Sequence, residues 1–375
     1  MRRGPGALMN SHVRLQSTYR FSCVYVEKAA QELPQTAEII GKLQNNPRII
    51  TIEHYGDIFN RPRQRFTMQK TAPALILAVE RKNFLYEGNE RINSWTQSRL
   101  YYNALVRNCV YNCDYCFLQG MHSSAHILMF VNNDCFIDAA RQRLAALQPP
   151  TGDQPKQLEQ PKQPDQLKQP SGGAGMYLSI SYLSDILAFE PLYPYCAEWI
   201  HFAAEYPQLG LEIRTKSDYY HAISHLKPVK NVFLVWSLSP EEVSSRSERG
   251  CASFRNRLFA AARAAADGWP IKLCFDPVLA VDGWQELYPR MIRETFARIP
   301  AELVQEVSFG VFRMSPQYFK RMQRLRPESP VINHGPRLYD GISTYPDRLI
   351  HDIRRTMEDE LSKHMIDEKI FFVHG

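Results

Sequence analysis

The segment LYYNALVRNCVYNCDYC, residues 100–116, joins a β-rich run to three closely spaced cysteines. Cys109, Cys113 and Cys116 follow the spacing Cys-x3-Cys-x2-Cys, and no further cysteine lies close to them in the sequence. Because thiolates are the usual ligands of iron–sulfur clusters, three of them within eight residues can wrap a single 4Fe-4S cluster. One iron of that cluster would lack a cysteine and would be open to a second cofactor.

Outward from this segment, β-rich and helical runs alternate along the chain. The candidate strands are residues 100–105, 176–181, 209–215, 232–238, 271–278 and 307–313, and the candidate helices are 137–147, 198–205, 254–266, 284–299 and 316–324. Strands that alternate with helices predict an α/β fold with a parallel sheet, and about six such units in a row predict a partial TIM barrel. Chemistry in these barrels gathers at the C-terminal ends of the strands, and the cysteine segment directly follows the first strand.

The rest of the chain divides by composition. Residues 1–18 resemble a loose leader, and residues 19–98 a small N-terminal α/β portion with β-rich runs at 21–26, 48–53 and 73–79. The barrel is expected over 99–330, followed by a C-terminal extension over 331–375. Inside the barrel, the Pro/Gln/Lys-rich run 149–175 lacks aromatic residues and predicts a flexible insertion, because it cannot bury enough apolar surface to become ordered.

Composition limits the class of protein. The 375 residues are 44% hydrophobic and 22% charged, which is typical of a globular protein, and the net charge of +6 permits a nucleic-acid partner. Eight scattered cysteines favour a reducing compartment over a disulfide framework. No signal peptide is evident, and no run approaches the roughly 18 apolar residues that a membrane span needs. We therefore expect a cytoplasmic monomer without a membrane partner.

The cysteine spacing is that of the radical S-adenosylmethionine superfamily, and the residues around it resemble the spore photoproduct lyase family, of which this chain would be a divergent member. The similar segments are CFLQ at 116–119, VN at 131–132, SYLSDI at 181–186, RTK at 214–216, WSL at 236–238, FDPV at 275–278 and DGW at 282–284. The resemblance extends over roughly residues 20–325 and is most specific at the cysteine motif.

The resemblance implies a carbon–carbon lyase that repairs a methylene-bridged thymine dimer in DNA. In that family the reduced 4Fe-4S cluster cleaves S-adenosylmethionine, and the resulting 5′-deoxyadenosyl radical takes a hydrogen atom from the dimer. The implied cofactors are the cluster and S-adenosylmethionine, and the implied partners are DNA with a thymine lesion and an external electron donor of the flavodoxin or ferredoxin type. The protein itself would bind, orient and shield the reactants.

The resemblance also assigns roles to single residues. Ser184, Lys216 and Ser237, at three successive strand ends, match contacts to S-adenosylmethionine, and a lysine and two hydroxyls suit its carboxylate and ribose oxygens. Tyr115 matches a tyrosine that returns the radical to the cofactor, and Arg313 matches a basic residue near the lesion that could meet a phosphate. Each has a plainer alternative: Ser184 can belong to a helix cap, Lys216 can be a solvated strand end, and Tyr115 can pack against the cluster.

Two positions depart from the family pattern. Tyr182 stands where the family has the cysteine that quenches the substrate radical, and Phe117 stands where a tyrosine is typical. Three explanations stay open: Tyr182 donates the hydrogen atom, Cys274 on another strand donates it, or the substrate is not the standard lesion. The remaining cysteines, 23, 135, 196 and 251, are interpreted as small buried or half-buried hydrophobic residues.

Two rival functions follow from the same residues. The first is a radical enzyme of the same fold that acts on another nucleic acid, a peptide or a small molecule. The second is a non-catalytic zinc module that binds nucleic acid, with His122 as the fourth ligand beside the three cysteines. Iron with acid-labile sulfide would exclude the zinc module, whereas zinc alone would support it.

Overall fold

A computed structural model describes residues 20–59, 61–88, 99–147, 175–333 and 335–373. The expected leader, 1–18, and the expected insertion, 149–175 apart from Gly175, lie outside these ranges. The helices are α1 (Pro34–Gly41), α2 (Phe66–Thr71), α3 (Phe117–Met121), α4 (Asn133–Leu147), α5 (Ile186–Phe189), α6 (Tyr195–Glu205), α7 (Glu241–Ser247), α8 (Phe254–Ala266), α9 (Trp284–Arg298), α10 (Pro316–Leu325), α11 (Pro330–Asn333) and α12 (Asp347–Leu361).

The strands fall into two larger sheets and two small ones. They are β1 (Cys23–Glu27), β2 (Arg48–Ile52), β3 (Leu75–Ala78), β4 (Tyr86–Glu87), β5 (Arg99–Tyr102), β6 (Val106–Arg107), β7 (Asn112–Cys113), β8 (Ile127–Phe130), β9 (Met176–Ser179), β10 (Leu209–Thr215), β11 (Val232–Ser237), β12 (Glu248–Arg249), β13 (Ile271–Val278), β14 (Val304–Val311), β15 (Arg313–Met314), β16 (Arg337–Tyr339), β17 (Ile342–Thr344) and β18 (Ile370–Phe372).

The main sheet has the order β18-β14-β13-β11-β10-β9-β5-β4. Neighbours from β5 to β18 are parallel, and only β4 at the edge is antiparallel. The middle strands are almost continuously apolar and buried, as expected when helices cover both faces of a parallel sheet. The two edge strands do not pair with each other, so the sheet is an open, partial barrel. The predicted fold class is confirmed.

All six predicted strands of the barrel are present, and a seventh parallel strand joins them. β18, near the end of the chain, pairs beside β14, with Ser308 opposite Phe371. It is short and only half-buried, and its sequence IFF lacks the length that marked the other strands. The five predicted barrel helices correspond to α4, α6, α8, α9 and α10. α8 and α10 begin where Ser253 and Ser315 accept hydrogen bonds from the backbone N–H of Asn256 and Tyr318.

The smaller sheet has the order β2-β1-β3-β8-β6. Its first three strands are the predicted N-terminal runs, but β8 and β6 come from the sequence around the cysteine motif. After β5 in the main sheet, the chain enters the smaller sheet as β6 and then forms the cysteine loop. It re-enters the smaller sheet as β8. This path fixes the loop between the two sheets. None of the helices in the described ranges is long and apolar enough to cross a bilayer.

Candidate active site

The proposed site residues follow the C-terminal ends of neighbouring parallel strands. Ser184 follows β9, Lys216 follows β10, Ser237 ends β11 and Arg313 follows β14. Because β9, β10, β11, β13 and β14 are adjacent and parallel, these residues lie at one edge of the main sheet. The cysteine loop, which follows β5 and β6, lies at the same edge, since Ser184 Oγ donates a hydrogen bond of 2.7 Å to the Asn108 carbonyl.

The cysteine loop begins at Asn108, whose φ of 73° lies in the left-handed region that asparagine tolerates. Its side chain donates to the carbonyls of Ser124 and His126 and accepts from the N–H of Cys109. The loop is therefore closed on itself just before the first cysteine. Further along, β7 pairs antiparallel with β12, which places Cys113 opposite Glu248.

A second set of contacts braces the loop from α3 and α10. Gln119 Nε2 donates to the Cys113 carbonyl at 2.6 Å, and Gln119 Oε1 accepts from Arg326 at 2.8 Å. Arg326, which is buried at the end of α10, also donates to Asn112. Arg249 lies 3.2 Å from Asp114. These contacts hold the backbone of the loop against α3 and α10.

The three thiols lie in a low-dielectric environment that contains two lysines. Burial, reinforced by Asp185, raises the pKa of Cys109 to about 12, and burial also raises the pKa of Cys116. Lys70 opposes the rise at both thiols, and Lys216 opposes it at Cys116. Buried thiolates therefore need compensating positive charge, which bound iron would supply.

The donor set of the loop is three thiols, of which Cys116 lies within electrostatic range of the other two, and such a set fits an iron–sulfur cluster. Within the described ranges, no three His, Cys, Asp or Glu side chains converge in the manner that one ion requires. A four-iron cluster binds each thiolate through a different iron, so its ligands need not converge on one point. His122 packs 5.1 Å from the Phe59 ring, and burial lowers its pKa to about 4.

Below the proposed cofactor residues lies a buried ion pair that the sequence analysis missed. Glu248 and Arg257 form a salt bridge in which both side chains are 0% exposed. Tyr115 and Ser239 donate to Glu248, and Arg257 donates to the Ser237 carbonyl at 2.8 Å. The sequence signal was Arg257 itself, because it shares one face of α8 with Phe254, Leu258 and Ala261, all of which are buried.

Lys216 joins this ion pair to the cysteine loop. Its Nζ lies 5.7 Å from the centre of the Tyr115 ring. Burial lowers the pKa of Lys216, but the nearby Glu248, Cys113 and Cys251 together outweigh burial, so the pKa is raised overall. Asp185 is the N-cap of α5, and its carboxylate also accepts hydrogen bonds from Thr215 Oγ1 and the Lys216 N–H. The residue that caps the helix therefore also fixes the backbone of Lys216. Lys216 is not a solvated strand end.

Cys251 lies beside the cysteine loop, with its Sγ 3.5 Å from that of Cys113. It is half-buried as expected, but its neighbour is one of the proposed cluster ligands, and no sequence signal indicated that contact. Among the other cysteines set aside, Cys135 is exposed, contrary to the expectation that it would be at least half-buried, because it lies on the outer face of α4.

The two departures from the family pattern contact each other. The Tyr182 ring lies 4.4 Å from that of Tyr102 and 6.1 Å from that of Phe117. Tyr102 in turn stacks on Tyr86 at 5.1 Å. Burial raises the pKa of Tyr182, so its phenol keeps its proton at neutral pH. Tyr182 is thus one ring of an aromatic row and not an isolated replacement.

Arg313 makes a two-pronged ion pair with Asp276, with N–O distances of 2.8 and 2.9 Å. Burial raises the pKa of Asp276, but Arg313 outweighs it and the pKa is lowered overall. The neighbouring Arg214 donates to the sulfur of Cys274 at 3.3 Å, and Cys274 is buried. Arg313 and Cys274 therefore have partners inside the protein.

Comparison with known proteins gives a consistent result. The sequence model of the spore photoproduct lyase family matches residues 176–328, a stretch that includes the strand-end residues but not the cysteine loop. Spore photoproduct lyase of Bacillus subtilis (strain 168) is 21% identical over 305 residues, which cover 80% of each chain. The resemblance to the spore photoproduct lyase family is confirmed.

Solved structures show the same fold. Spore photoproduct lyase complexed with dinucleoside spore photoproduct superposes with a TM-score of 0.72 at 18% identity, covering 94% of this chain and 98% of that one. A doubly substituted spore photoproduct lyase with bound AdoMet and dinucleoside spore photoproduct gives a TM-score of 0.70 at 18% identity, covering 95% and 99%. The likeness to spore photoproduct lyase therefore extends to both sheets and the C-terminal elements.

Proposed function

We propose that this chain is a radical S-adenosylmethionine lyase of the spore photoproduct lyase type, acting on a methylene-bridged thymine dimer in DNA. The observation that carries the proposal is the meeting of the cysteine loop with Ser184 and Lys216 at one edge of the main sheet. The family match and the AdoMet-bound relative support the same assignment.

In this proposal Cys109, Cys113 and Cys116 would hold a 4Fe-4S cluster, which would supply the electron for cleavage of S-adenosylmethionine. Ser184, Lys216 and Ser237 then bind and orient S-adenosylmethionine. Lys216 suits its carboxylate because it carries a point charge, and the two serine hydroxyls suit oxygen or nitrogen partners. An external flavodoxin or ferredoxin would deliver the electron.

Tyr115 and Tyr182 are proposed to handle hydrogen atoms. The pKa of Tyr115 is raised well above its usual value, first by burial and then by Glu248, so the O–H bond is present at neutral pH. Tyr182 would give its phenolic hydrogen to the thymine radical, forming a C–H bond and leaving a phenoxyl radical. By way of Tyr115, that phenoxyl would regain a hydrogen atom from 5′-deoxyadenosine, which would become the 5′-deoxyadenosyl radical again, so that the radical returns to the cofactor.

Tyr182 is favoured over Cys274 as the donor. Cys274 is 1% exposed, and its sulfur accepts a hydrogen bond from Arg214. Tyr182 is only partly buried, so a substrate at the strand ends can reach its hydroxyl. The third explanation, a lesion other than the standard one, remains the rival, because the ring of Tyr182 is larger than the thiol that the family has there.

DNA would approach on the side of Arg313 and the β16–β17 hairpin. Beyond its contacts with Asp276 and Val311, the Arg313 guanidinium keeps two N–H groups that can meet a phosphate. β17 pairs with β15, so the hairpin continues from the strand of Arg313. Its Leu338 is 62% exposed, beside the exposed Arg337, which suits contact with a base and a phosphate.

Anaerobic reconstitution tests the proposal. Wild-type protein reduced with dithionite is expected to contain iron and sulfide, to release 5′-deoxyadenosine and to convert dinucleoside spore photoproduct to two thymidines. Cys109→Ala should lose all three properties, whereas the control Cys23→Ala should keep them. Zinc without sulfide would favour the binding module. Release of 5′-deoxyadenosine without repair of either the dinucleoside or irradiated DNA would favour a radical enzyme with another substrate.

A further inference from the structure

Lys70 reaches the cysteine loop from the N-terminal part of the chain. It lies near the end of α2, and its Nζ donates to the carbonyl of Cys109, 39 positions later in the sequence. Neighbouring contacts fix this segment to the chain that follows the loop: Gln69 Oε1 accepts from the Ala125 N–H, and His126 Nδ1 accepts from the Ala74 N–H, both at 3.0 Å. The ammonium group is therefore held in place beside the loop.

The charge of Lys70 has no carboxylate to balance it. Among the residues that the structure describes, Lys70 forms no salt bridge, and its side chain is partly buried. Burial lowers the pKa of Lys70, while the thiols of Cys109, Cys116 and Cys113, in that order, raise it. The geometry places the Lys70 ammonium directly on the backbone of Cys109, in the loop that carries all three proposed cluster ligands.

We propose that Lys70 is a positioning residue that raises the reduction potential of the cluster held by Cys109, Cys113 and Cys116. The inference rests on the proposed function. One-electron reduction adds a negative charge to the cluster, and a fixed cation nearby stabilises the added charge. Net charge, hydrogen bonds to the sulfurs and solvent exposure are factors by which a protein sets such potentials, and Lys70 contributes to the first.

Arg326 is a less suitable candidate for raising the reduction potential of the cluster. It lies on the braced side of the loop, where its guanidinium is engaged by Asn112 and Gln119 and lies near Asp114 and Glu328. Its charge is thus already balanced by neighbouring carboxylates. Lys70 differs because its one hydrogen bond in the described structure goes to a backbone carbonyl of the loop itself.

The test compares Lys70→Gln, which removes the charge, with Lys70→Arg, which keeps it. Lys42→Gln is the matched control, because Lys42 pairs with Glu38 on the exposed side of α1. Each reconstituted protein is assayed for iron and sulfide, and its cluster potential is measured by redox titration followed by electron paramagnetic resonance. For Lys70→Gln we expect wild-type metal content and at least a tenfold smaller equilibrium constant for reduction, about 59 mV for one electron.

The outcomes are distinct. A lower potential in Lys70→Gln, with Lys70→Arg and Lys42→Gln close to wild type, supports the proposal, and an unchanged potential in Lys70→Gln overturns it. If Lys70→Gln does not retain the cluster, Lys70→Arg decides: a wild-type potential supports the role of the charge, and a potential lowered despite the retained charge overturns it. Absence of iron and sulfide from the wild type would instead overturn the proposed function.

Discussion

Two arginine–carboxylate pairs lie at the candidate site, and they differ in burial. Glu248–Arg257, below Tyr115 and Ser237, is 0% exposed on both side chains, whereas Asp276–Arg313 is 15% and 25% exposed. A buried pair has no water to replace a lost partner, while a partly exposed pair can exchange one partner for another anion. We therefore interpret the proposed cofactor side as rigidly held and the proposed substrate side as a surface that can bind an anion.

The departures from the family pattern follow the same division. The residues that match the family, Ser184, Lys216, Ser237 and Tyr115, are on the fixed side. Tyr182 and Phe117, which depart from it, contact each other, and Tyr182 lies within electrostatic range of Arg313. This distribution is expected if the chemistry of the cofactor is kept while the handling of the substrate radical has changed.

The largest effect is expected at the buried pair. Arg257→Met should lower the free energy of unfolding by about 3–5 kcal/mol, because it leaves the Glu248 carboxylate buried without its cation. Denaturant unfolding monitored by circular dichroism measures the change. Arg290→Met is the matched control: Arg290 pairs with Glu242 at 48% and 43% exposure, and its loss should cost no more than about 1 kcal/mol. Equal losses in the two variants would contradict the contrast drawn between buried and exposed pairs.

The next effect concerns the contact between α3 and α10, which braces the cysteine loop. A Cβ atom at Gly120 would lie 2.6 Å from Tyr318 Cβ and 2.8 Å from its carbonyl oxygen, so Gly120→Ala must push the helices apart. We expect a loss of about 1–3 kcal/mol in unfolding free energy, with weaker retention of iron. Gly41→Ala, at the end of α1 with open space around it, should not destabilise the protein. A wild-type melting temperature for Gly120→Ala would show that the two helices adapt without strain.

The buried ion pair and the contact between α3 and α10 also show which features the sequence could not predict. The strands were predictable because a buried parallel strand is a continuous apolar run, as in VFLVWS of β11, and the cysteine loop was predictable from spacing alone. β18 and the pairing of β8 with β3 depend on distant parts of the chain, and so does the contact of Lys70 with Cys109. Glu248 was missed for the same reason, because a carboxylate in a polar stretch gives no sign that Arg257 and Tyr115 will enclose it.

On the substrate side, substitution of Tyr182 separates the two roles left open for it. If Tyr182 donates the hydrogen atom, Tyr182→Phe should still release 5′-deoxyadenosine but divert the thymine radical into side products. If its ring only narrows the pocket, Tyr182→Cys should increase repair of the dinucleoside, and Tyr182→Phe should change little. Chromatographic analysis of both products measures the partition. Wild-type behaviour of both variants would exclude Tyr182 from the chemistry and favour Cys274 or another substrate.

The smallest effect expected is a pH dependence of stability that arises from the partly exposed pair, Asp276–Arg313. Arg313 lowers the pKa of Asp276 below the unfolded value of about 3.9, so the pair stabilises the folded state above that pH. As the pH falls through the folded pKa, the carboxyl group takes up a proton and this contribution disappears. Asp276→Asn has no such titration. The melting temperature of the wild type should therefore exceed that of Asp276→Asn at pH 7. The difference between the two melting temperatures should narrow below about pH 3.9. Arg290→Met, measured in parallel, is the surface control. A difference in melting temperature that stays constant down to pH 2 would contradict this prediction. Asp276 would then stabilise the fold through its shape and hydrogen bonds and not through its charge. Arg313 would in that case be less free to exchange Asp276 for a phosphate.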